Sequence, residues 1–256
     1  MTIRPIAPDE AAEFLDLMCT VFDLEVERAK SVFYKEPLFD LERKWAVFSE
    51  GDMVSILTTV PLRFGWGRAF GIAGVATRED RRGLGFASKL LQHVCAHGES
   101  TGEGAAYLFA REPSLYRGSG FAIADTVIKG SLDRMEEDAI PAMLDGEAVE
   151  ARYAAWAGKD PNRLRRDDQR WRYWRWSMRV CTEFGDGYLC SEGSVVREVV
   201  IDQPVAAPWQ TPDAEWFGLE SMTKLLSVPV TDAHFELYLM ARNGPSNIGM
   251  FMTDQF

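Results

Sequence analysis

The strongest constraint on the fold is a junction. Ala69–Thr77 reads as a strand, and Phe86, Leu90, Leu91 and Val94 form the apolar stripe of a helix. Across the join, DRRGLGFASKL (Asp80–Leu90) places two arginines and two glycines where strand gives way to helix. A strand that feeds an amphipathic helix buries both apolar faces in a layered arrangement. The flanking segments fit such layers. Thr2–Ala7 is extended, and Pro8-Asp-Glu opens a helical pattern carried by Phe14, Leu15, Met18 and Phe22. A second helix is expected over Val26–Tyr34. Lys44–Phe48 and Met53–Val60 flank Ser49-Glu50-Gly51-Asp52, which is a hairpin signal. Gly65–Arg68 turns the chain into the junction strand. Gly98–Gly104 ends the helix that follows. A short buried strand is expected at Ala105–Ala110, a brief helix from Glu112-Pro113 through Tyr116, and an extended run at Phe121–Leu132.

Asp133–Glu147 is acidic, holds Pro141 and Gly146, and reads as a linker. It divides residues 1–135 from a second region at residues 149–256. Helices are expected there at Ala151–Ala157, Asp167–Met178 and Glu215–Leu226. Strands are expected at Tyr188–Ser191, Val195–Ile201, His234–Met240 and Ile248–Met252. Ser191-Glu192-Gly193 repeats Ser49-Glu50-Gly51, a match that leaves both duplication and chance open. The fold class is α/β (α+β), with a mixed, mostly antiparallel central sheet flanked by helices.

With 256 residues and 46% hydrophobic content, the chain can build one large core or two modest ones. No apolar run approaches the ~20 residues of a membrane helix. The N-terminus, MTIRPIAPDEAAEF, turns acidic at once, so a cytoplasmic protein is expected. Cys19, Cys95, Cys181 and Cys190 lack paired spacing, and reduced buried thiols are expected. Lys and Arg number 28 against 39 Asp and Glu, a net charge of −11. That argues against nonspecific nucleic-acid binding and suits a cationic substrate.

The glycines at the junction offer a place for phosphates. A helix N-terminus has unpaired N–H groups and a partial positive charge, and glycine lets an anion approach the backbone. Arg82 adds charge and Ser88 a hydroxyl. A nucleotide-triphosphate loop requires Gly-Lys-Ser/Thr, and no glycine precedes Lys89. A dinucleotide fingerprint follows its strand directly, whereas the charged Arg78–Arg82 intervenes here and the neighbouring strands look antiparallel. The remaining register is Arg82-x-x-Gly85-x-Ala87. In this register the chain resembles the GNAT superfamily of N-acetyltransferases, whose acetyl-CoA motif is Gln/Arg-x-x-Gly-x-Gly/Ala after a splayed strand. The resemblance spans Thr2–Leu132 and includes GIAGVATRED upstream and LFAREPSLYRGSGF downstream.

This resemblance implies a GNAT fold with acetyl-CoA as co-substrate and no metal. Val75, Ala76 and Thr77 would meet the pantetheine arm through their main chain, with Val75 or Ala76 donating an N–H to the acyl oxygen. Gly83, Leu84, Gly85, Phe86, Ala87 and Ser88, with Arg82, would hold the pyrophosphate. Arg111 and Glu112 would lie near CoA, although Glu112-Pro113 also suits a plain helix start. Tyr116 would be the catalytic acid: a leaving thiolate has a pKa near 8.5 and a phenol one near 10, so the phenol can protonate it. The acceptor would be an amine on a small molecule or peptide. An alkylamine is only about one part in a thousand neutral at pH 7, so a base is needed.

The whole chain is similar to the branch named for enhanced intracellular survival, in which a second, degenerate acetyltransferase-like half follows the first. Ala151–Trp156 and Arg165–Trp176 resemble the start of that half. In that branch the C-terminal carboxylate can serve as base, which nominates Phe256; a buried final strand is the plain alternative. The branch's further sterol-carrier-like domain has no counterpart in these residues. Transfer of a longer acyl group and a CoA-binding module without turnover both stay open, as does a homo-oligomer.

Other constellations have plainer readings. His93 and His97 share a helix face but lack a third ligand, so no metal site is expected. The arginines and aromatics of Arg163–Trp176 could suggest nucleic acid, but helical spacing puts Trp171 and Trp174 on one face with Met178 beyond. An interdomain core with solvated arginines is expected, with no nucleic-acid or membrane partner. Phe22, Asp23, Glu25 and Phe33 are candidates for an acceptor pocket or simply the two faces of a helix.

Overall fold

In a computed structural model the description covers residues 1–132, 142–177, 180–184, 186–202 and 213–256. Eleven strands form one sheet. In the first half they are β1 (Thr2–Pro5), β2 (Lys44–Ser49), β3 (Asp52–Phe64), β4 (Gly67–Thr77), β5 (Ala105–Ala110) and β6 (Ala122–Leu132). The second half adds β7 (Val180–Phe184), β8 (Gly187–Glu192), β9 (Val195–Val200), β10 (Glu215–Leu219) and β11 (Val230–Arg242). The helices are α1 (Ala11–Phe22), α2 (Val26–Phe33), α3 (Phe86–Ser100), α4 (Ser114–Arg117), α5 (Gly146–Gly158), α6 (Asp168–Trp176) and α7 (Glu220–Leu226).

The sheet order is β1-β2-β3-β4-β5-β11-β6-β10-β9-β8-β7. Leaving β1 aside, it reads alike from both ends. β2, β3 and β4 form an antiparallel meander, as do β7, β8 and β9. β4 then pairs parallel with β5, and β9 parallel with β10. The final strands cross over: β11 lies beside β5, and β6 beside β10. This is the order of one unit used twice. The repeated Ser-Glu-Gly does not mark it, because one copy turns β2 into β3 and the other β8 into β9, which are not equivalent hairpins. Both tripeptides place a glycine at positive φ, so they share turn chemistry alone.

The two sheet faces carry different helices. α3 packs Leu90, Leu91 and Val94 against Val47, Leu57, Phe70 and Ile72. On the other face, α1 sets Phe14 and Leu15 against Ala46, Ile56 and Ala76. α5 and α6 bring Tyr153, Trp156, Trp171 and Trp174 into a core with Leu62, Phe64 and Tyr107. Between the helical layers the alternation of β4 slips once. Ala73 lies opposite Thr58, and Ala76 opposite Ile56, so β4 holds one extra residue. Gly74, at φ +59°, takes the strain. The bulge returns Ala76 to the α1 side and sends Val75 to the α3 core.

Several expectations need correction. Glu215–Leu226 is only half helix: Glu215–Leu219 is β10, and α7 starts at Glu220. Its backbone finds ladder partners on both β6 and β9, which override helix propensity. Ile248–Met252 forms no strand among the described residues; Gly249 makes one isolated bridge to Arg163, and a 3-10 turn covers Met252–Asp254. β7 had no counterpart in the sequence reading. It carries Cys181 directly opposite Cys190 on β8, and the two form a disulfide. Register brings these sulfurs together despite their unremarkable spacing, so only Cys19 and Cys95 are buried free thiols. The cysteine argument for a reducing compartment fails for that pair. The arginines of Arg163–Trp176 are not all solvated either: Arg166, just ahead of α6, pairs with Glu198 and Asp254, and all three side chains are fully buried. Most of the acidic linker (residues 133–141) and Met178 lie outside the described residues. Among the described residues no helix is long and apolar enough to cross a membrane.

Candidate active site

β4 and β5 are paired from Ala69↔Ala105 to Ile72↔Leu108, and the ladder stops there. Beyond that point β4 runs through its bulge while β5 heads for α4. The strands part, and a cleft of about 540 Å³ opens on the α3 side. Val75 and Thr77 of β4 line it, as do Arg81, Arg82, Gly83, Gly85, Phe86, Ala87, Ser88, Leu115 and Tyr116. Ser55 anchors the end of β4, donating to the Ala76 carbonyl at 3.0 Å with its oxygen 2.9 Å from Thr77 Oγ1.

The loop then folds into a 3-10 turn at Glu79–Arg81 and reaches α3 through two left-handed glycines, Gly83 at φ +76° and Gly85 at φ +78°. A Cβ on either would meet no protein atom within 4 Å. The glycines therefore answer a demand of backbone conformation, where a Cβ costs about 1–2 kcal/mol. No side chain caps α3, so its first N–H groups face the cleft without a capping partner. Arg82 donates weakly to the Thr77 carbonyl at 3.4 Å. Tyr116 borders the opposite wall, its ring edge-on to Phe121. Among the described residues nothing accepts its hydroxyl proton. Burial pushes the phenol up, so it holds that proton at neutral pH.

Residues 2–124 match the model of the family described as acetyltransferase (GNAT) domain. The first half of this chain is a GNAT acetyltransferase domain. Solved structures extend the likeness of fold over nearly the whole chain. A GCN5-related N-acetyltransferase from Anabaena variabilis is 15% identical with a TM-score of 0.70, covering 94% of this chain and 72% of that one. One from Kribbella flavida is 17% identical with a TM-score of 0.70, covering 94% and 71%. Eis1 from Mycobacterium abscessus is 16% identical with a TM-score of 0.61, covering 93% and 73%. No curated protein sequence matches the chain.

Through the sheet from the cleft, the acetyltransferase domain has a second opening. Asp23, Glu25, Val32, Phe33 and Glu36 line a hollow of about 500 Å³. Phe33, Glu36 and Met18 continue into a smaller one of about 150 Å³, shared with Lys44, Thr58, Ala73, Gly74, Tyr173 and Phe256. The two adjoining hollows, which share Met18, Phe33 and Glu36, are together the passage, and the smaller one borders the bulge of β4 at Ala73 and Gly74. Phe256 stands at its inner end, its ring over Gly71 and 5.3 Å from the Phe109 centroid. Arg166 fixes the approach to it, binding Asp254 at 2.7 Å, while Arg170 donates to the Asp254 and Pro61 carbonyls. Glu36 is raised by burial, against the pull of Lys44 and Arg170.

The structure gathers most of the residues singled out by sequence. Arg82, Gly83, Gly85, Phe86, Ala87, Ser88, Val75, Thr77 and Tyr116 line one cleft. Ala76 is buried on the other side of β4, and Leu84 points outward at 57% exposure. Arg111 and Glu112 stand exposed and outside the cleft lining; Glu112 accepts from the Ser114 N–H. Asp23, Glu25 and Phe33 line the hollow at the second opening, although the Glu25 carboxylate also caps α2, and Phe22 lies outside it. His93 and His97 flank Trp45, and among the described residues no three His, Cys, Asp or Glu gather as a metal site. Sequence reasoning missed Glu36, Lys44 and Tyr173. Their only signal was polarity between aromatic residues, which does not reveal a face.

Proposed function

We propose that the domain transfers the acetyl group of acetyl-CoA to a primary amine by direct attack, without a covalent enzyme intermediate. One observation carries this reading. The glycine turn, the parting end of β4 and the Tyr116 phenol border a single cleft, and an acid-lined passage approaches the same bulge from the opposite face. The pyrophosphate would rest on the uncapped N–H groups of α3, helped by Arg82. The pantetheine arm would follow Val75–Thr77, where β4 has lost its partner β5. An N–H of Val75 or Ala76 would meet the acyl oxygen as negative charge develops there.

The amine would enter past Asp23, Glu25 and Glu36, whose charges favour a cation. It must then lose a proton. Phe256 lines the inner end of the passage, and where it is the last residue its carboxylate would accept that proton. The amine attacks the thioester carbonyl, the C–S bond breaks, and Tyr116 protonates the departing thiolate. A cytoplasmic setting, a small-molecule or peptide amine, and two units divided near residues 135–149 complete the reading.

The test is release of free thiol from acetyl-CoA across a panel of amines. Release with at least one amine is expected, with Tyr116→Phe lowering kcat while CoA affinity holds. Tight CoA binding with no release for any amine, and no effect of Tyr116→Phe, would establish a binding module instead. Release from longer acyl-CoA alone would move the donor, not the mechanism.

A further inference from the structure

One lysine lies inside the passage. Lys44 opens β2 opposite Thr58 of β3, and Thr58 lies opposite Ala73 of β4. Residues directly opposite share a sheet face. All three line the inner hollow with Gly74 and Phe256, at the point where β4 bulges. Lys44 is 4% exposed. Its Nζ lies 4.6 Å from the ring centre of Phe33, 5.1 Å from Phe39 and 5.8 Å from Phe14. Among the described residues no carboxylate pairs with it. Lys30, Lys129, Lys159 and Lys224 all have such partners nearer the surface. Burial pulls the Lys44 ammonium below the usual lysine range, while Glu36 and Asp40 pull the other way. A larger share of this amine is therefore neutral than of a surface lysine.

We propose that Lys44 is itself an acetyl acceptor, a self-modification site inside the acceptor passage; this rests on reading the cleft as an acetyl-CoA site. The neutral Nζ attacks the thioester carbonyl carbon and a C–N bond forms. The tetrahedral intermediate collapses with loss of the C–S bond. CoA departs as thiolate and takes a proton from Tyr116, and the proton shed by Nζ restores the phenol. The products are N-acetyl-lysine and CoA thiol. The amide carries no charge, so Glu36 loses its cationic neighbour and the passage becomes more negative. Self-acetylation would thus tune the same passage towards cationic amines.

The experiment incubates the full chain with acetyl-CoA and no amine, and maps acetyl groups over time by peptide mass spectrometry. The expected result is one acetyl group on the Lys44 peptide, forming at least tenfold faster than on the exposed Lys35 and Lys89. It should be absent from urea-unfolded protein and slower when an accepted amine is present. Acetylation of Lys35 and Lys89 but not Lys44, in protein that releases thiol with an external amine, overturns this proposal and leaves the transferase reading standing. Absence of both CoA binding and thiol release overturns both. Lys44→Arg serves as the mapping blank, because the guanidinium stays charged and takes no acetyl group.

Discussion

Gly71→Ala isolates the role of Phe256. A Cβ at Gly71 would sit 2.5 Å from Cγ, Cδ2 and Cε2 of the Phe256 ring. Carbon atoms rest at about 3.5–4.0 Å, so something must move by roughly 1 Å or more. Gly71 cannot retreat easily, because β4 is held there on both sides, by Val60 of β3 and Tyr107 of β5. Asp254 is pinned by Arg166, which leaves Gln255 and Phe256 to shift. Overpacking of this kind costs about 1–3 kcal/mol, at the low end for a residue so near the chain end. Catalysis should suffer more, since a displacement of about 1 Å at a reacting group can cost on the order of 100-fold. The loop and α3 lie on the other face, so CoA affinity should hold. Steady-state kinetics with an accepted amine, together with calorimetric CoA binding, measure both. A crystal structure showing the ring displaced while kcat stays within twofold would refute a catalytic place for Phe256.

Three further outcomes follow from the structure. Gly85→Ala should lower stability by about 1–2 kcal/mol through its positive φ, with no clash against protein atoms, and weaken CoA binding; thermal melts with and without CoA separate the effects. Arg166→Met leaves Glu198 and Asp254 buried without their cation. A loss of about 3–5 kcal/mol is expected, or roughly 6–20 °C in Tm, and adding Glu198→Gln and Asp254→Asn should recover much of it. Glu10 is held at about 2, first by its hydrogen bonds with Arg4 and then by the Ala7 N–H. A depressed carboxylate contributes stability above its unfolded pKa, and that contribution fades as pH falls through the folded value. The deficit of Glu10→Gln should therefore be full at pH 7, shrink below about 4.5 and vanish near 2, as read by urea unfolding at each pH.

The glycine-turn cleft was legible because it is local. A strand, a glycine turn and a helix start occupy one continuous stretch, whose Arg82-x-x-Gly85-x-Ala87 register carries the resemblance that nominates Val75–Ser88; of these, Ala76 and Leu84 fall outside the cleft. Tyr116 follows from the same resemblance, through LFAREPSLYRGSGF. The second opening is assembled from distant pieces and was therefore legible only in part: Asp23, Glu25, Phe33 and Phe256 were named, but Glu36, Lys44 and Tyr173 were not. Glu36 and Lys44 flank an aromatic cluster, Tyr173 comes from α6 and Phe256 from the chain end; only the sheet register makes them neighbours. The same limit explains the misread segments. Glu215–Leu219 has helical spacing and becomes a strand because two ladders await it. Cys181 and Cys190 look unrelated until β7 and β8 pair. The burial of Arg166 needs Glu198 and Asp254, each far along the chain.

Among the described residues there is one glycine-turn cleft, and the two halves of the duplicated order differ at the connection that forms it. In the first unit the connection from Thr77 to Ala105 contains the glycine turn and α3. In the second, Val200 to Glu215 is a much shorter link, and its sequence lacks the Arg-x-x-Gly-x-Ala register. The second unit still has work that the first cannot do alone. Its strand β11 fills the place beside β5, its helix α6 brings Tyr173 to the passage, and its last residues carry Phe256 to the bulge. Since β6 and β11 are exchanged, each unit completes the other's sheet. The glycine-turn cleft is therefore lined from one unit alone, and the smaller hollow from both.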